Sequence, residues 1–384
     1  MNKYEEDLNY FLDEIEKRHI WFYFDKSKDD LNNFVKEYLS THKLDSKYKL
    51  SYFIKCIIKY MLSIYDSHTF CFYNNSNKLP IILKLIDKNL YIINSFDKKL
   101  KFSKILKINN FTVEELIEKI KKSLPCSNEA WLESRTEEFL SDLNIINELC
   151  LSHNDTSVFT VEIDGKPKDF VLSPNKKIKL EKDKNYEITL LDKVIKIRYS
   201  KCEPPKEGSM MDFINNVKQI SEQNNITNFI IDIRGNTGGV NTIIYPFLEF
   251  LKSNNYNIIT LIDKNVFSSG RFALIDLINV GSKTVGEEIG TSLNCFGNVK
   301  TFNLPNTNLI ITYSTKYFDY NPFEKKIIQY TNKNEMKEIK SFKPIFYKPD
   351  YYVYNSLEDY EDGNDKVVDK TIELLKSILY NVNR

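Results

Sequence analysis

Three short segments carry residue types that could share acyl-transfer chemistry. Asp66-Ser67-His68-Thr69 supplies an imidazole, the side chain best suited to shuttle a proton near neutral pH. Phe267-Ser268-Ser269-Gly270 supplies two hydroxyls within one turn. Asp232-Ile233-Arg234-Gly235-Asn236-Thr237-Gly238-Gly239 supplies glycines that let bare backbone N–H groups approach a ligand. Each segment also has a plainer reading. Serine at a strand-to-helix turn is a favoured helix cap, a lone histidine is commonly structural, and a glycine-rich loop can be a tight turn with no chemical duty. The loop is not the GxGxxG dinucleotide fingerprint and lacks the lysine of a phosphate loop. Of the other histidines, His19 lies among Arg18 and aromatics, and His42 and His153 sit in polar turns.

The elements around these segments decide whether they can meet. Residues 1–64 show three apolar stripes at helical spacing, with Leu8, Phe11 and Ile15 in the first and Ser27 a candidate cap for the second. This reads as an N-terminal helical cap. Residues 65–205 read as a β-rich mixed region. Runs 81–86 and 90–93 flank a hairpin turn, Thr112 with Glu115 forms a capping box, and 159–163 turns at Asp164-Gly165. A further strand pair is expected at 186–191 and 194–199. From 206 to 384 the pattern alternates: a helix, the apolar run 229–233, the glycine loop, a helix, the run 258–262, the serine turn, and a third helix. That alternation predicts a parallel sheet of the βαβ kind, whose pockets lie at the carboxyl ends of the strands. The glycine loop and the serine turn are one βαβ step apart and should be neighbours. Val367, Val368, Ile372 and Leu375 predict a closing amphipathic helix.

The composition sets bounds. The 384 residues are 42% hydrophobic and 28% charged, an ordinary globular balance that excludes a disordered or collagen-like chain. Lys+Arg of 54 against Asp+Glu of 53 leaves a net charge of +1, with no basic footprint for nucleic acid. No run approaches the ~20 apolar residues of a membrane span. The opening MNKYEEDLNY carries acids where a leader needs basic and then apolar residues, and the six cysteines are scattered without a CxxC pair. Both features lead us to expect a cytoplasmic protein with reduced thiols. Four histidines with none at ligand spacing predict no metal, and no other cofactor is expected. The acidic stretch 359–365 lacks the spacing and final glutamate of a calcium loop and reads as a helix entry.

Together the segments resemble the tricorn-core branch of the carboxyl-terminal processing (tail-specific) serine peptidases. The matching pieces are Asp66-x-His68-Thr69, Asp232-x-Arg234-x-Asn236-x-Gly238-Gly239 and Phe267-Ser268-Ser269-Gly270. Shorter matches follow at Val285-Gly286-Glu287, Phe296-Gly297-Asn298, Leu304-Pro305, 313–318 and Pro349-Asp350, in order over nearly the whole chain. The resemblance implies an α/β fold with a crotonase-like parallel-sheet core. It implies Ser268 as nucleophile, with Ser269 its competitor, and His68 as general base. Backbone N–H groups of Ser269 and of Gly238 or Gly239 would form the oxyanion hole. The substrate would be a peptide or unfolded protein. The sequence departs from the pattern in three places. Arg271 stands where relatives place an acid, no lysine follows the serine for a Ser-Lys dyad, and no acid precedes Pro349-Asp350 to orient the histidine. Ser67 and Asp66 beside the histidine, and Glu324, Glu335 and Glu338 by a shifted loop, are the candidates for that orienting role. A catalytically inactive peptide-binding pseudo-peptidase is the alternative these departures raise.

Overall fold

The computed structural model describes residues 2–176, 178, 184–254, 256–339 and 342–382. The chain opens with helices α1 (Lys3–Arg18), α2 (Lys28–Thr41) and α3 (Lys47–Leu62). Asn2, Ser27 and Ser46 cap them, each accepting backbone N–H bonds that a free helix end would leave unmet. Strands β1 (Phe70–Phe72), β2 (Ile81–Ile86), β3 (Asn89–Ser95), β4 (Ser103–Ile108) and β5 (Phe111–Thr112) follow. Then come α4 (Val113–Ser123), started by the Thr112–Glu115 capping box, α5 (Glu129–Phe139) and α6 (Leu143–Cys150). Strands β6 (Ser157–Ile163) and β7 (Lys166–Leu172) form a hairpin whose turn, Asp164-Gly165, has φ of 55° and 71°.

The alternating part runs β8 (Tyr186–Leu191), β9 (Val194–Tyr199), α7 (Met210–Asn224), β10 (Asn228–Asp232), α8 (Tyr245–Lys252), β11 (Asn257–Ile262), α9 (Ser269–Asn279) and β12 (Lys283–Gly286). The chain closes with β13 (Cys295–Asn303), β14 (Ile310–Asn321), β15 (Lys326–Tyr330), α10 (Lys333–Met336), β16 (Tyr351–Tyr352), α11 (Leu357–Asp362) and α12 (Lys366–Val382). Asp365, in the acidic stretch, accepts from Val368 N–H at the start of α12, as a helix entry should. Among the described residues no helix is long and apolar enough to cross a membrane.

The chain forms two compact units. The first comprises Met1–Lys179, Asn294–Pro322 and Lys326–Ile345. It holds one sheet in the order β1-β14-β13, with β15 on β14, and another in the order β2-β3-β4-β6-β7, with β5 on β4. Leu8, Phe11 and Ile15 of α1 and Phe53, Ile57 and Ile58 of α3 share a core with Phe302, Ile311 and Tyr313 of β13 and β14. The helical cap is therefore packed on strands that lie about 300 residues later. A buried ion pair fixes β1 beneath it: Lys55 Nζ lies 2.7 Å from Glu148 Oε2, both 1% exposed, and Tyr73 Oη donates to the same oxygen at 2.7 Å.

The second unit comprises Leu180–Leu293, Phe323–Lys325 and Phe346–Arg384. Its sheet has the order β16-β12-β11-β10-β9-β8. Neighbours from β16 to β9 pair in parallel, and β8 pairs antiparallel to β9. The strand pair at 186–199 forms as expected but joins this sheet instead of the middle region, because Val194–Arg198 register with Asn228–Asp232. The apolar runs of β10 and β11 reflect burial by helices on the sheet, as in Ile230, Ile259 and Leu261 packed with Val367 and Leu375 of α12. Asp350 binds β16 to β12, accepting from Thr284 N–H and Oγ1 at 2.8 Å each. The Pro349-Asp350 motif is thus explained by strand anchoring.

Removing one member of the buried pair leaves the other charge without compensation. Lys55→Ala should lower unfolding free energy by about 3–5 kcal/mol, read from urea denaturation of the wild type and variant.

Candidate active site

The serine turn lies between β11 and α9, in the second unit. Ser268 occupies the N-cap position of α9, yet its side chain makes no capping hydrogen bond. Its backbone is at φ 51°, ψ −123°, a region costing a non-glycine residue about 1–3 kcal/mol. A capping serine has extended backbone and a hydroxyl turned to its own helix; Ser268 has neither. This strained turn before α9 places Ser268 Oγ beside the glycine loop, 3.2 Å from where a Cβ on Gly238 would stand. Ser269, the competitor, is engaged: its Oγ donates to Gly239 O at 2.7 Å.

The glycine loop meets this turn through Asn236, which is fully buried. Asn236 O accepts from Phe267 N–H at 2.9 Å, and Nδ2 donates to Tyr199 O at 3.0 Å. A Cβ on Gly270 would fall 2.2 Å from Asn236 O, so this position admits no side chain. A Cβ on Gly238 would fall 2.7 Å from Ser269 N and 2.9 Å from Ser268 Cβ. The two turns are therefore in direct contact, as the βαβ step predicts.

The backbone donors of the loop differ in their availability. Gly238 N–H donates to Asn236 Oδ1 at 3.0 Å and is engaged. Gly238 O and Val240 N–H are taken by Cys202, at 3.0 and 2.7 Å. Gly239 is the residue bridged to Cys202 in parallel, a pairing that uses the groups on either side of it and leaves its own N–H and C=O turned away, the C=O accepting from Ser269 Oγ. Of the two glycines the resemblance names, Gly239 is the better donor.

Asp232 and Arg234 of the loop are held in an ion network. Arg234 Nη2 lies 2.7 Å from Asp232 Oδ2 and 2.8 Å from Asp365 Oδ2, while Arg198 Nη1 lies 3.3 Å from Asp232 Oδ1. Burial pushes the Asp232 carboxyl up, but the Arg234 charge and hydrogen bond outweigh it and hold the pKa below the usual range. Arg271, in the place of the relatives' acid, is fully buried and donates from Nη1 to Leu293 O at 2.6 Å. It secures the loop that would carry a dyad lysine.

His68 belongs to the first unit, in the turn between α3 and β1, and is 8% exposed. Its backbone is gripped on both sides: N–H donates to Asp66 Oδ1 at 2.8 Å, and Thr312 Oγ1 donates to its C=O at 2.7 Å. A Cβ on Gly297 would lie 3.8 Å from His68 Cε1, so the glycine borders the imidazole. Asp66 is the centre of the turn. Its carboxylate also accepts from Thr69 N–H, Thr69 Oγ1, Ser314 Oγ and His19 Nε2, the last at 2.8 Å. Burial pushes this carboxyl up, yet the hydrogen bonds it accepts, from His19 first and also from Thr69, prevail and bring it to about 2. Sequence reading gave His19 no role, because nothing local links it to a turn 47 residues away.

Of the candidate orienting residues, Ser67 is half-buried and Glu324 and Glu338 are exposed. The Glu335 carboxylate accepts from Thr331 Oγ1 and Asn332 Nδ2 at the start of α10, a local capping arrangement.

These features define a multi-subdomain α/β fold with a strained serine turn. Among solved structures, the chain shares the fold of mature CPAF: the complex with lactacystin matches at a TM-score of 0.69 with 11% identity over 99% of both chains. Mature CPAF alone matches at 0.66 and 11% identity over 99% of this chain and 98% of that one. The tricorn protease aligns at a TM-score of 0.44 and 12% identity, over 98% of this chain and 37% of that chain. No protein-family model and no curated protein matches the sequence. What the comparisons show is therefore the fold, that of mature CPAF.

The low Asp66 pKa has a pH signature. A carboxyl held below its unfolded value of 3.8 contributes stability above about pH 4 and loses it as pH falls towards 2. Asp66→Asn should cost about 2 kcal/mol at pH 7, and the gap to wild type should close between pH 4 and 2 in urea unfolding.

Proposed function

We propose that the chain is a serine peptidase that hydrolyses peptide bonds through an acyl-enzyme, with Ser268 as nucleophile and His68 as general base. The observation that carries this reading is the backbone of Ser268. A turn of this kind is costly, does not cap its helix, and lies against Gly238 of the glycine loop, whose next residue, Gly239, accepts from Ser269 Oγ. The CPAF-like fold supports it, and mature CPAF is itself known in complex with lactacystin.

In this mechanism His68 takes the Ser268 Oγ proton as the oxygen attacks the peptide carbonyl carbon. The carbonyl oxygen gains the negative charge, and the N–H groups of Ser269 and Gly239 receive it; one such donor is worth about 3 kcal/mol where charge develops. His68 then gives its proton to the leaving amine. Water, deprotonated by His68, releases the acyl group and restores Ser268. The reading requires the imidazole to reach Ser268 Oγ in the substrate complex. The substrate would be a peptide or unfolded protein, and the scattered cysteines with no CxxC pair support a reducing, cytoplasmic setting.

The pseudo-peptidase reading draws on Glu335, whose carboxylate is engaged by Thr331 and Asn332. A base lacking its orienting carboxylate loses about 10⁴-fold in rate in the serine-protease template. The two readings separate with a fluorophosphonate probe. A peptidase is labelled, Ser268→Ala abolishes the label, and Ser269→Ala retains it with about tenfold slower labelling from a loosened Gly239. Labelling that survives in Ser268→Ala refutes the nucleophile. No labelling of the wild type, with retained peptide binding, selects the pseudo-peptidase.

A further inference from the structure

His19 is a fully buried histidine that the mechanism above does not use. Its two ring nitrogens have distinct partners. Trp21 N–H donates to Nδ1 at 3.0 Å, so Nδ1 is an acceptor and carries no proton. The ring proton is then on Nε2, where it donates to Asp66 Oδ2 at 2.8 Å. A backbone amide thereby selects the tautomer that can hold Asp66.

Three chain segments meet at the Asp66 carboxylate. Its own turn supplies His68 N–H and Thr69, β14 supplies Ser314 Oγ, and the residues after α1 supply His19. A carboxylate offers about four acceptor sites, and these donors fill them. The opposite oxygen, Oδ1, is the one that grips His68 N–H. Rotation of the carboxyl group would break both bonds together. The segment carrying His19 is itself tied to β14, since Ile20 N–H donates to Ser314 O at 3.1 Å. The ring is further packed against Phe22 and Phe296, with centroids 5.9 and 5.7 Å away.

We propose that His19 is a positioning residue for His68: through its bond to Asp66 it locks the carboxylate rotation that sets the 66–69 turn, and with it the place of the imidazole. This rests on His68 being the general base. His19 then does through the backbone part of what an orienting glutamate does through Nδ1 in the relatives the motifs resemble.

Two substitutions separate the two bonds of His19. His19→Asn keeps an acceptor for Trp21 N–H and is too short to reach Asp66. His19→Gln extends a donor to Asp66 and gives up the Trp21 bond. The chain has four histidines, so ring-proton resonances are few and His68 is assigned by His68→Ala. In His19→Asn the His68 resonances should shift and broaden, and in His19→Gln they should overlay the wild type. Peptide hydrolysis should show about a 10–100-fold lower kcat in His19→Asn with KM unchanged, restored by His19→Gln. Unmoved His68 resonances in His19→Asn, or the same change in both variants, overturn the proposal. Resonances that move as expected in a protein that hydrolyses no peptide uphold the His19 bond as the determinant of His68 position and overturn its catalytic part along with the peptidase reading.

Discussion

The carbonyl of Asn236 accepts the Phe267 amide and occupies the space a side chain at Gly270 would need. Two turns on one sheet edge are neighbours in any parallel arrangement, but ordinary side chains would keep their backbones apart. Here the chain removes the side chain on one turn and buries an amide side chain on the other. The glycine loop can then approach so closely that Gly238 faces Ser268 and Gly239 bonds to Ser269. The distribution of free and engaged amides follows from this contact, because the Asn236 side chain takes Gly238 N–H and leaves Gly239 outside. In the proposed mechanism an oxyanion would need donors already fixed in place, and Asn236 holds the two turns in contact.

Asp66 plays the matching part in the first unit. Both centres use a buried polar side chain that binds backbone from several segments, and both show why such groups are satisfied in full. An unmet acceptor inside a protein costs about 1–3 kcal/mol, so donors as distant in sequence as His19 and Ser314 are drawn to one carboxylate. The consequence is a His68 turn whose conformation depends on α1 and β14 as much as on its own residues.

Local signals were legible in the sequence wherever one segment decides its own structure. The Ser27 cap, the Thr112–Glu115 box, the Asp164-Gly165 turn and the strands at 186–191 and 194–199 all form where their residue types place them. The βαβ alternation gave the adjacency of the two site turns. Partner choice between strands was not legible: the 186–199 hairpin satisfies the same alternation in either sheet, and long-range register with β10 decides it. Nor could the return of β13 and β14 to the α1–α3 core be read, since apolar stripes do not name their partners. For the site, residue types pointed to Ser268 and Ser269 equally. The family resemblance named Ser268, and the features that support it, a backbone angle and one hydrogen bond of its neighbour, are not encoded in composition. The Asp66 turn had a local signal, an aspartate accepting from amides two and three residues on. His19 had none.

The positive φ at Ser268 has a bearing on evolution. Glycine adopts that backbone without steric cost, so a Ser268→Gly substitution would relax the chain by about 1 kcal/mol. The cost of keeping a serine there is borne by every molecule, whether or not it meets a substrate. A lineage with no use for the hydroxyl would be free to take the sturdier glycine form, so the residue found at 268 reports whether the hydroxyl is worth its strain.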